Sequence, residues 1–289
     1  MALDKHGDLG AALIPFYLPF IPLTIYLAFR HGFSRSGGWV YLCILAVMRV
    51  LAGILLVAAE TITPVNVGVY IGAAILEFAG LSPLLLGTLG FVRTVVLSSY
   101  RETTALNMAF RLLYLIGILG LILSIVGGSE SDTTSISTLK TSTSLRKSGA
   151  ILLAVLYAIL LVIHAFMWAN VSKLDMHRRR LLIGISSALP FLLVRTVYSV
   201  LSTFSGSPIP GGPPNTSKLA KFNLANGEWY IYLVMGLLME YITICIYTVV
   251  GWRTPATIQR GNDKAADADG YPLEPPAQRQ NAYVAPYRV

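Results

Sequence analysis

Charged residues are scarce in this sequence, and cysteine is almost absent. Only 12% of the 289 residues are Asp, Glu, Lys or Arg, whereas 55% are apolar. This balance excludes an ordinary water-soluble globular domain. The two cysteines, Cys43 and Cys245, both lie in apolar runs, so no disulfide framework is predicted. The sequence also lacks the alternation over roughly ten residues that is typical of β-barrel strands.

Several functional motifs are missing as well. No Gly-rich phosphate loop indicates an ATP-driven pump, and the last apolar run holds no lysine for a retinal Schiff base. Because Asp-Arg-Tyr-like and Asn-Pro-x-x-Tyr motifs are absent, a rhodopsin-class receptor is disfavoured. His164 has no second histidine at i+4 and no Cys or carboxylate cluster beside it. We therefore expect neither a metal nor a cofactor.

What the sequence does contain is a series of seven apolar runs. Each is long enough to cross a hydrocarbon core of ~30 Å as a helix that rises ~1.5 Å per residue. The prediction is an all-α polytopic membrane protein with a leader at 1–9, a seven-helix domain at 10–252 and a disordered tail at 253–289. The predicted spans are Gly10–Arg30, Trp39–Ala59, Val67–Val92, Thr104–Val126, Ala150–Val171, Leu181–Phe204 and Glu228–Trp252.

Local composition refines this picture. Pro15, Pro19 and Pro22 predict a kink in the first span. The Ser/Thr-rich segment Gly127–Gly149 has no evident apolar face and is predicted to be a loop. Lys173–Arg180 is predicted to be a short basic loop between the fifth and sixth spans.

The distribution of basic residues predicts the orientation. One side of the membrane collects thirteen of the 22 Lys and Arg residues, the other side six, and three lie within spans. By the positive-inside rule the N-terminus is outside or luminal and the tail is cytosolic. The formal charge of +8 then needs no nucleic-acid partner. Asn215, in an Asn-Thr-Ser sequon, falls on the luminal side, where it is a candidate for glycosylation.

Charged side chains inside the apolar runs are the candidate site. Arg49 and Glu77 lie near mid-depth of the second and third spans, and Arg195 and Glu240 lie in the last two spans. Such residues usually face a partner or a wet cavity, because a charge at mid-bilayer costs at least ~2.5–3.5 kcal/mol. Matched depth predicts two ion pairs, Arg49–Glu77 and Arg195–Glu240. Helical spacing places Tyr198 on the same face as Arg195, and Gly236, Thr243 and Tyr247 on the same face as Glu240.

Two interpretations of these pairs stay open at this point. They could clamp the helix bundle, or they could line a cavity for an amphipathic or polar ligand or relay protons. Arg111, near the end of its span, is interpreted as an interface anchor rather than as a ligand contact.

A set of residues in the second, third, sixth and seventh spans carries a family resemblance: Gly80–Leu85, Gly87, Arg93, Arg49, Arg195–Tyr198, Trp229 and Glu240. On these residues the chain from about Gly10 to Trp252 resembles a fungal family of seven-helix integral membrane proteins of unknown function. A second set consists of Glu77-x-x-Gly80 with Arg195, Tyr198, Asn226, Gly227 and Glu240. It is more distantly similar to fungal lipid-translocating exporter-like proteins, although Leu81 stands where they usually have tyrosine.

Three functions therefore compete. The leading hypothesis is a non-enzymatic protein of the plasma membrane or an endomembrane that binds or translocates a lipid or an amphipathic small molecule. The first alternative is a terpene cyclase-like membrane enzyme in which Glu60, Glu77 or Glu240 protonates a prenyl chain. Such an acid must carry a proton near neutral pH, which burial promotes but an arginine partner opposes. The second alternative is a seven-helix sensor that signals through its tail.

Overall fold

The computed structural model describes residues 5–31, 37–61, 67–99, 103–129, 136–173, 176–206, 218–223 and 227–254. Within these ranges the regular structure is helical and no strand occurs. Seven helices are long and apolar enough to cross a membrane, so the predicted all-α, seven-span architecture is confirmed. The orientation of the termini stays a prediction. The predicted tail lies outside the described residues, apart from Arg253 and Thr254.

The spans differ from the predicted runs mainly at their ends. They cover Gly7–His31, Gly37–Thr61, Gly68–Leu97, Thr104–Ser129, Lys140–Ala169, Arg178–Phe204 and Trp229–Arg253. The helices within them are Lys5–Tyr17, Phe20–His31, Gly37–Thr61, Val67–Ala79, Leu81–Ser99, Thr104–Ser129, Ile136–Ala169, Met176–Phe204, Trp229–Ile231, Tyr232–Leu238 and Met239–Arg253, and short 3₁₀ turns cover Val171–Lys173 and Lys218–Phe222.

The third span is the centre of the bundle. It packs against the second, fourth, fifth and sixth spans, and 67% of its apolar stretch is buried, against 22% for the fourth span. The fourth span is correspondingly peripheral, with Met108, Leu112 and Leu115 more than half exposed. An apolar surface of this kind suits contact with lipid tails. The buried Glu77 of the third span is therefore held inside the protein.

Two spans are interrupted, and the first interruption has a clear sequence cause. The first span breaks after Tyr17 and resumes at Phe20, because Pro19 and Pro22 lack the N–H groups that would continue the helical hydrogen bonds. The predicted kink is thus present. The third span breaks at Gly80, between the helices that end at Ala79 and begin at Leu81.

The Ser/Thr-rich segment is where the loop prediction is wrong. A helix begins at Ile136, so residues 136–149 are helical and pack against the end of the fourth span. Ser142 donates a 2.6 Å hydrogen bond to the main-chain oxygen of Gly127. Because Gly127 has no side chain, the two backbones approach closely and the hydroxyl is satisfied across the interface. Residues 136–149 have no apolar face, so they pack against the fourth span through close backbone approach at Gly127.

The basic segment before the sixth span is also more helical than predicted. A helix begins at Met176, so Arg178–Arg180 occupy its first turn instead of a loop. The seventh span contains a π-helical stretch, Tyr232–Leu238, directly before Glu240. π-Helical turns are rare and are frequent at functional sites. The spacing of apolar residues in the sequence does not predict this π-helical stretch.

Candidate functional site

Arg49 is the central residue of a buried charge cluster. It lies midway along the second span and is fully buried. Its Nε donates to Oε1 of Glu240, and its Nη2 donates to Oε2 of the same carboxylate at 2.5 Å. Its Nη1 donates to Oε2 of Glu77. One guanidinium thus holds one carboxylate in a bidentate contact and a second carboxylate at its other edge.

Arg195 closes the cluster from the sixth span. Its Nε donates to Oε2 of Glu240 at 3.2 Å, and its Nη2 donates to the main-chain oxygen of Glu77 at 3.2 Å. The same nitrogen lies 3.8 Å from Oε1 of Glu77. Each arginine therefore faces both glutamates, and the four formal charges sum to zero. The attraction between these opposite charges offsets part of the desolvation cost of burying them.

The two ion pairs predicted from depth are both in contact, but they are not separate. Two cross-contacts join them: the bidentate one between Arg49 and Glu240, 191 positions apart in the chain, and the contact of Arg195 with Glu77. Depth along a helix fixes a residue's level in the membrane, but it does not fix which neighbouring spans it faces. The second, third, sixth and seventh spans converge at one level, so the two pairs merge into one network.

Gly80 makes room for this network. A Cβ atom at this position would lie 2.5 Å from Nη2 of Arg49 and 2.9 Å from its Cζ. Cβ atoms essentially never lie this close to a neighbour, so the guanidinium occupies space that any other residue would make it leave. The Glu77-x-x-Gly80 spacing thus supplies both a carboxylate and the gap beside it. The break at Gly80 also interrupts the helix at the level where Arg195 contacts the main chain of Glu77.

Tyr17 and Tyr232 are cluster neighbours that the sequence did not reveal. The hydroxyl of Tyr17 donates to Oε1 of Glu240 at 3.4 Å, from the last turn before the break in the first span. Tyr232 is buried at the start of the π-helical stretch and lies on the same cavity wall as Glu77. The position of Tyr17 directly before a Leu-Pro break could have drawn attention to this residue. For Tyr232 no signal was available.

Glu77 is the one cluster carboxylate that adjoins open space. Its Oε1 accepts no hydrogen bond of normal length from the residues that the structure describes, although Tyr232 interacts with the same carboxylate and Nη2 of Arg195 lies 3.8 Å from Oε1. A cavity of about 20 Å³ lies beside it, which is room for about one water molecule or one small polar group. The remaining walls come from the first, second, third and seventh spans and are apolar or aromatic: Leu13, Ala52, Leu56, Tyr70, Ala73, Ala74 and Tyr232. We call this space the Glu77 cleft.

The comparison with known families now adds a name for the domain. A family described as a domain of unknown function, DUF7702, matches residues 3–257, nearly the whole chain. The chain belongs to this family. No curated protein and no solved structure matches it. The DUF7702 assignment agrees with the expected family of unknown function, whereas the fungal origin and the exporter likeness stay predictions.

The remaining predicted site residues of this DUF7702 domain are all buried. The ring of Tyr198 lies 5.7 Å from Cζ of Arg195, and its hydroxyl has no hydrogen-bond partner among the described residues. Thr243 donates to the main-chain oxygen of Met239 in its own helix. The hydroxyl of Tyr247 lies 2.8 Å from Oγ1 of Thr88, and Tyr247 is seven residues, ~10 Å, along the helix from Glu240. A ligand-binding role for these three residues stays a prediction.

Two further predictions concern glycosylation and metal binding. Asn215, the glycosylation candidate, lies outside them. Across the described ranges, no group of three or more His, Cys, Asp or Glu side chains is placed to hold a metal ion. His164 instead lies 2.9 Å from the hydroxyl of Ser186 through its Nε2.

Proposed function

We propose that this membrane protein binds a lipid or an amphipathic small molecule whose polar head lies at Glu77. The observation that carries the proposal is the buried Oε1 of Glu77, which accepts no hydrogen bond from the described residues and adjoins the Glu77 cleft. Since an unsatisfied carboxylate oxygen is costly in an apolar interior, a donor is expected there. The donor that fits is a hydroxyl or an ammonium group.

The walls of the cleft favour an amphipathic ligand over a fully polar one. Apart from Glu77 and the tyrosine hydroxyls, every lining side chain is apolar. Leu56 and Tyr70 are only half-buried, so the cleft adjoins the lipid-facing surface between the second and third spans. A chain that leaves the cleft there would meet the membrane interior. If the protein translocates its ligand, the substrate would bind at Glu77 in the same way.

The terpene cyclase-like alternative gains less support. Glu240 is fully buried and is hydrogen-bonded to both arginines, and Glu77 is bonded to Arg49. An arginine partner stabilises the ionised carboxylate, whereas protonation of a prenyl chain needs the neutral acid. No described contact favours the sensor alternative.

A matched pair of probes tests the proposal. Purified protein in detergent is heated with dodecanol or with its methyl ether, which has the same chain but no O–H donor. We expect saturable thermal stabilisation by dodecanol alone. At ten times the dissociation constant the stabilisation is about 1.4 kcal/mol, which raises the unfolding midpoint by a few degrees.

Two alanine variants supply the control. Ala73→Val fills the cleft without touching a charge, whereas Ala59→Val adds the same two carbons at a similarly buried position outside the cleft. The dodecanol response should disappear in the first variant and persist in the second. Equal responses to dodecanol and its ether, or a full response in Ala73→Val, would refute the proposal.

A further inference from the structure

Arg146 is a buried cation without a counter-charge among the described residues. It is only 6% exposed, and its Nη2 is buried without a hydrogen-bond partner. Its guanidinium carbon lies 4.7 Å above the ring of Phe78. Arg49 and Arg195, by contrast, each contact two glutamates. Arg146 is therefore a buried arginine with no carboxylate partner among the residues that the structure describes.

The surroundings of Arg146 hold its side chain in place. A Cβ atom on Gly127 would lie 2.7 Å from Cγ of Arg146, so the stem of the side chain packs directly against the fourth span. The ring of Phe78 covers one face of the guanidinium. A second cation, Lys147, follows in the sequence, with its Nζ 5.1 Å from the ring of Phe204. Each of these two consecutive cations thus lies over an aromatic ring of a different span.

The depth of Arg146 matches a lipid headgroup. The fifth span begins at Lys140, and six residues of helix place Arg146 ~9 Å from that end. Headgroup and interfacial regions occupy roughly 5–8 Å on each side of the hydrocarbon core. With Lys140 at the outer edge of the headgroup region, the guanidinium would lie near the level where the polar heads of membrane lipids meet their chains.

We propose that Arg146 binds the phosphate or carboxylate of an anionic ligand at this boundary. A ring face stabilises a cation but accepts none of its in-plane N–H bonds, so burial of the guanidinium leaves donors to be satisfied. An oxyanion supplies both the missing charge and the acceptors, and the planar fork of arginine suits two parallel hydrogen bonds to it. This site is separate from the Glu77 cleft, whose carboxylate would repel an anion.

Thermal unfolding of the full chain in neutral detergent tests the site, with dodecyl phosphate, inorganic phosphate and dodecanol as probes. We expect a saturable rise of the unfolding midpoint with dodecyl phosphate. If the source is a lipid, inorganic phosphate at the same concentration has a smaller effect; if the source is a free anion, the two effects are equal. Arg146→Gln should abolish both responses, and Arg146→Lys should weaken them about tenfold because one of two parallel hydrogen bonds is lost.

Arg111→Gln is the matched control, because it removes an exposed arginine from the fourth span and should keep the full response. Ala73→Val, which fills the Glu77 cleft, should also keep the full response to dodecyl phosphate. The test of Arg146 is therefore independent of the test of the Glu77 cleft. The absence of a saturable response to either anion overturns the proposal, as does a response that survives in Arg146→Gln.

An internal partner is the competing explanation for Arg146. Glu130 and Asp132 are the nearest acids in the sequence and lie outside the described residues. If one of them pairs with Arg146, Arg146→Gln should lower the unfolding midpoint without ligand, and Glu130→Gln with Asp132→Asn should reverse that loss. That pattern would also overturn the proposal.

Discussion

Replacing Arg49 with methionine tests whether the four buried charges act as one network. The change removes two contacts to Glu240 and one to Glu77, and it leaves Arg195 with two carboxylates. An uncompensated buried charge costs about 3–5 kcal/mol. That is a large share of a typical folding free energy of about 5–15 kcal/mol. Glu240→Met, which leaves two arginines with one glutamate, should cost a similar amount.

The double variant Arg49→Met, Glu240→Met separates a network from two isolated pairs. In the network, Arg195 and Glu77 remain, already 3.8 Å apart and neutral together, so stability should return to within about 1 kcal/mol of the wild type. With isolated pairs, the same double variant would break both pairs, and the cost would approach the sum of the single changes, about 6–10 kcal/mol.

The assay is loss of helical circular dichroism during titration of detergent-solubilised protein with a denaturing detergent. Arg111→Met, at an exposed position, should change stability by less than about 0.5 kcal/mol and controls for loss of positive charge. A double variant no more stable than the weaker single variant would falsify the network interpretation.

Two further predictions concern space and topology. Gly80→Ala should destabilise the fold by about 1–3 kcal/mol, because its Cβ would lie 2.5 Å from Nη2 of Arg49; Gly72→Ala, whose nearest neighbour is at 3.6 Å, should be nearly neutral in the same titration. Asn215 should be accessible to luminal glycosylation, while an acceptor site placed in the tail should stay unmodified, as judged by gel mobility with and without glycosidase. Modification of the tail, with Asn215 never modified even in a lengthened loop, would reverse the predicted orientation.

The seven spans could be predicted because lipid demands long apolar runs, and such runs are visible without knowledge of any contact. The break after Tyr17 was likewise accessible, since proline removes hydrogen-bond donors wherever it occurs. The helix at 136–149 could not be predicted, because it packs through close contact with glycines of another span, Gly127 in particular. The π-helical stretch that begins at Tyr232 leaves no mark on apolar periodicity.

The charge cluster was accessible only in part. Arg49, Glu77, Arg195 and Glu240 stand out because charges are rare inside apolar runs, and their depths follow from counting residues. Their partners depend on the lateral arrangement of spans, which a single sequence does not encode in any local pattern.

The position of Arg49 also has a consequence for how the protein enters the membrane. The second span is made early, and its arginine reaches the lipid 28 residues before Glu77 and 191 residues before Glu240 have been synthesised. Until then the strongly apolar remainder of that span must offset the insertion cost of a charge, ~2.5–3.5 kcal/mol. The sixth span, which carries Arg195, is less apolar and reaches the bilayer when Arg49 and Glu77 are already present. During synthesis from the N-terminal end, the cluster is complete only when the seventh span supplies Glu240.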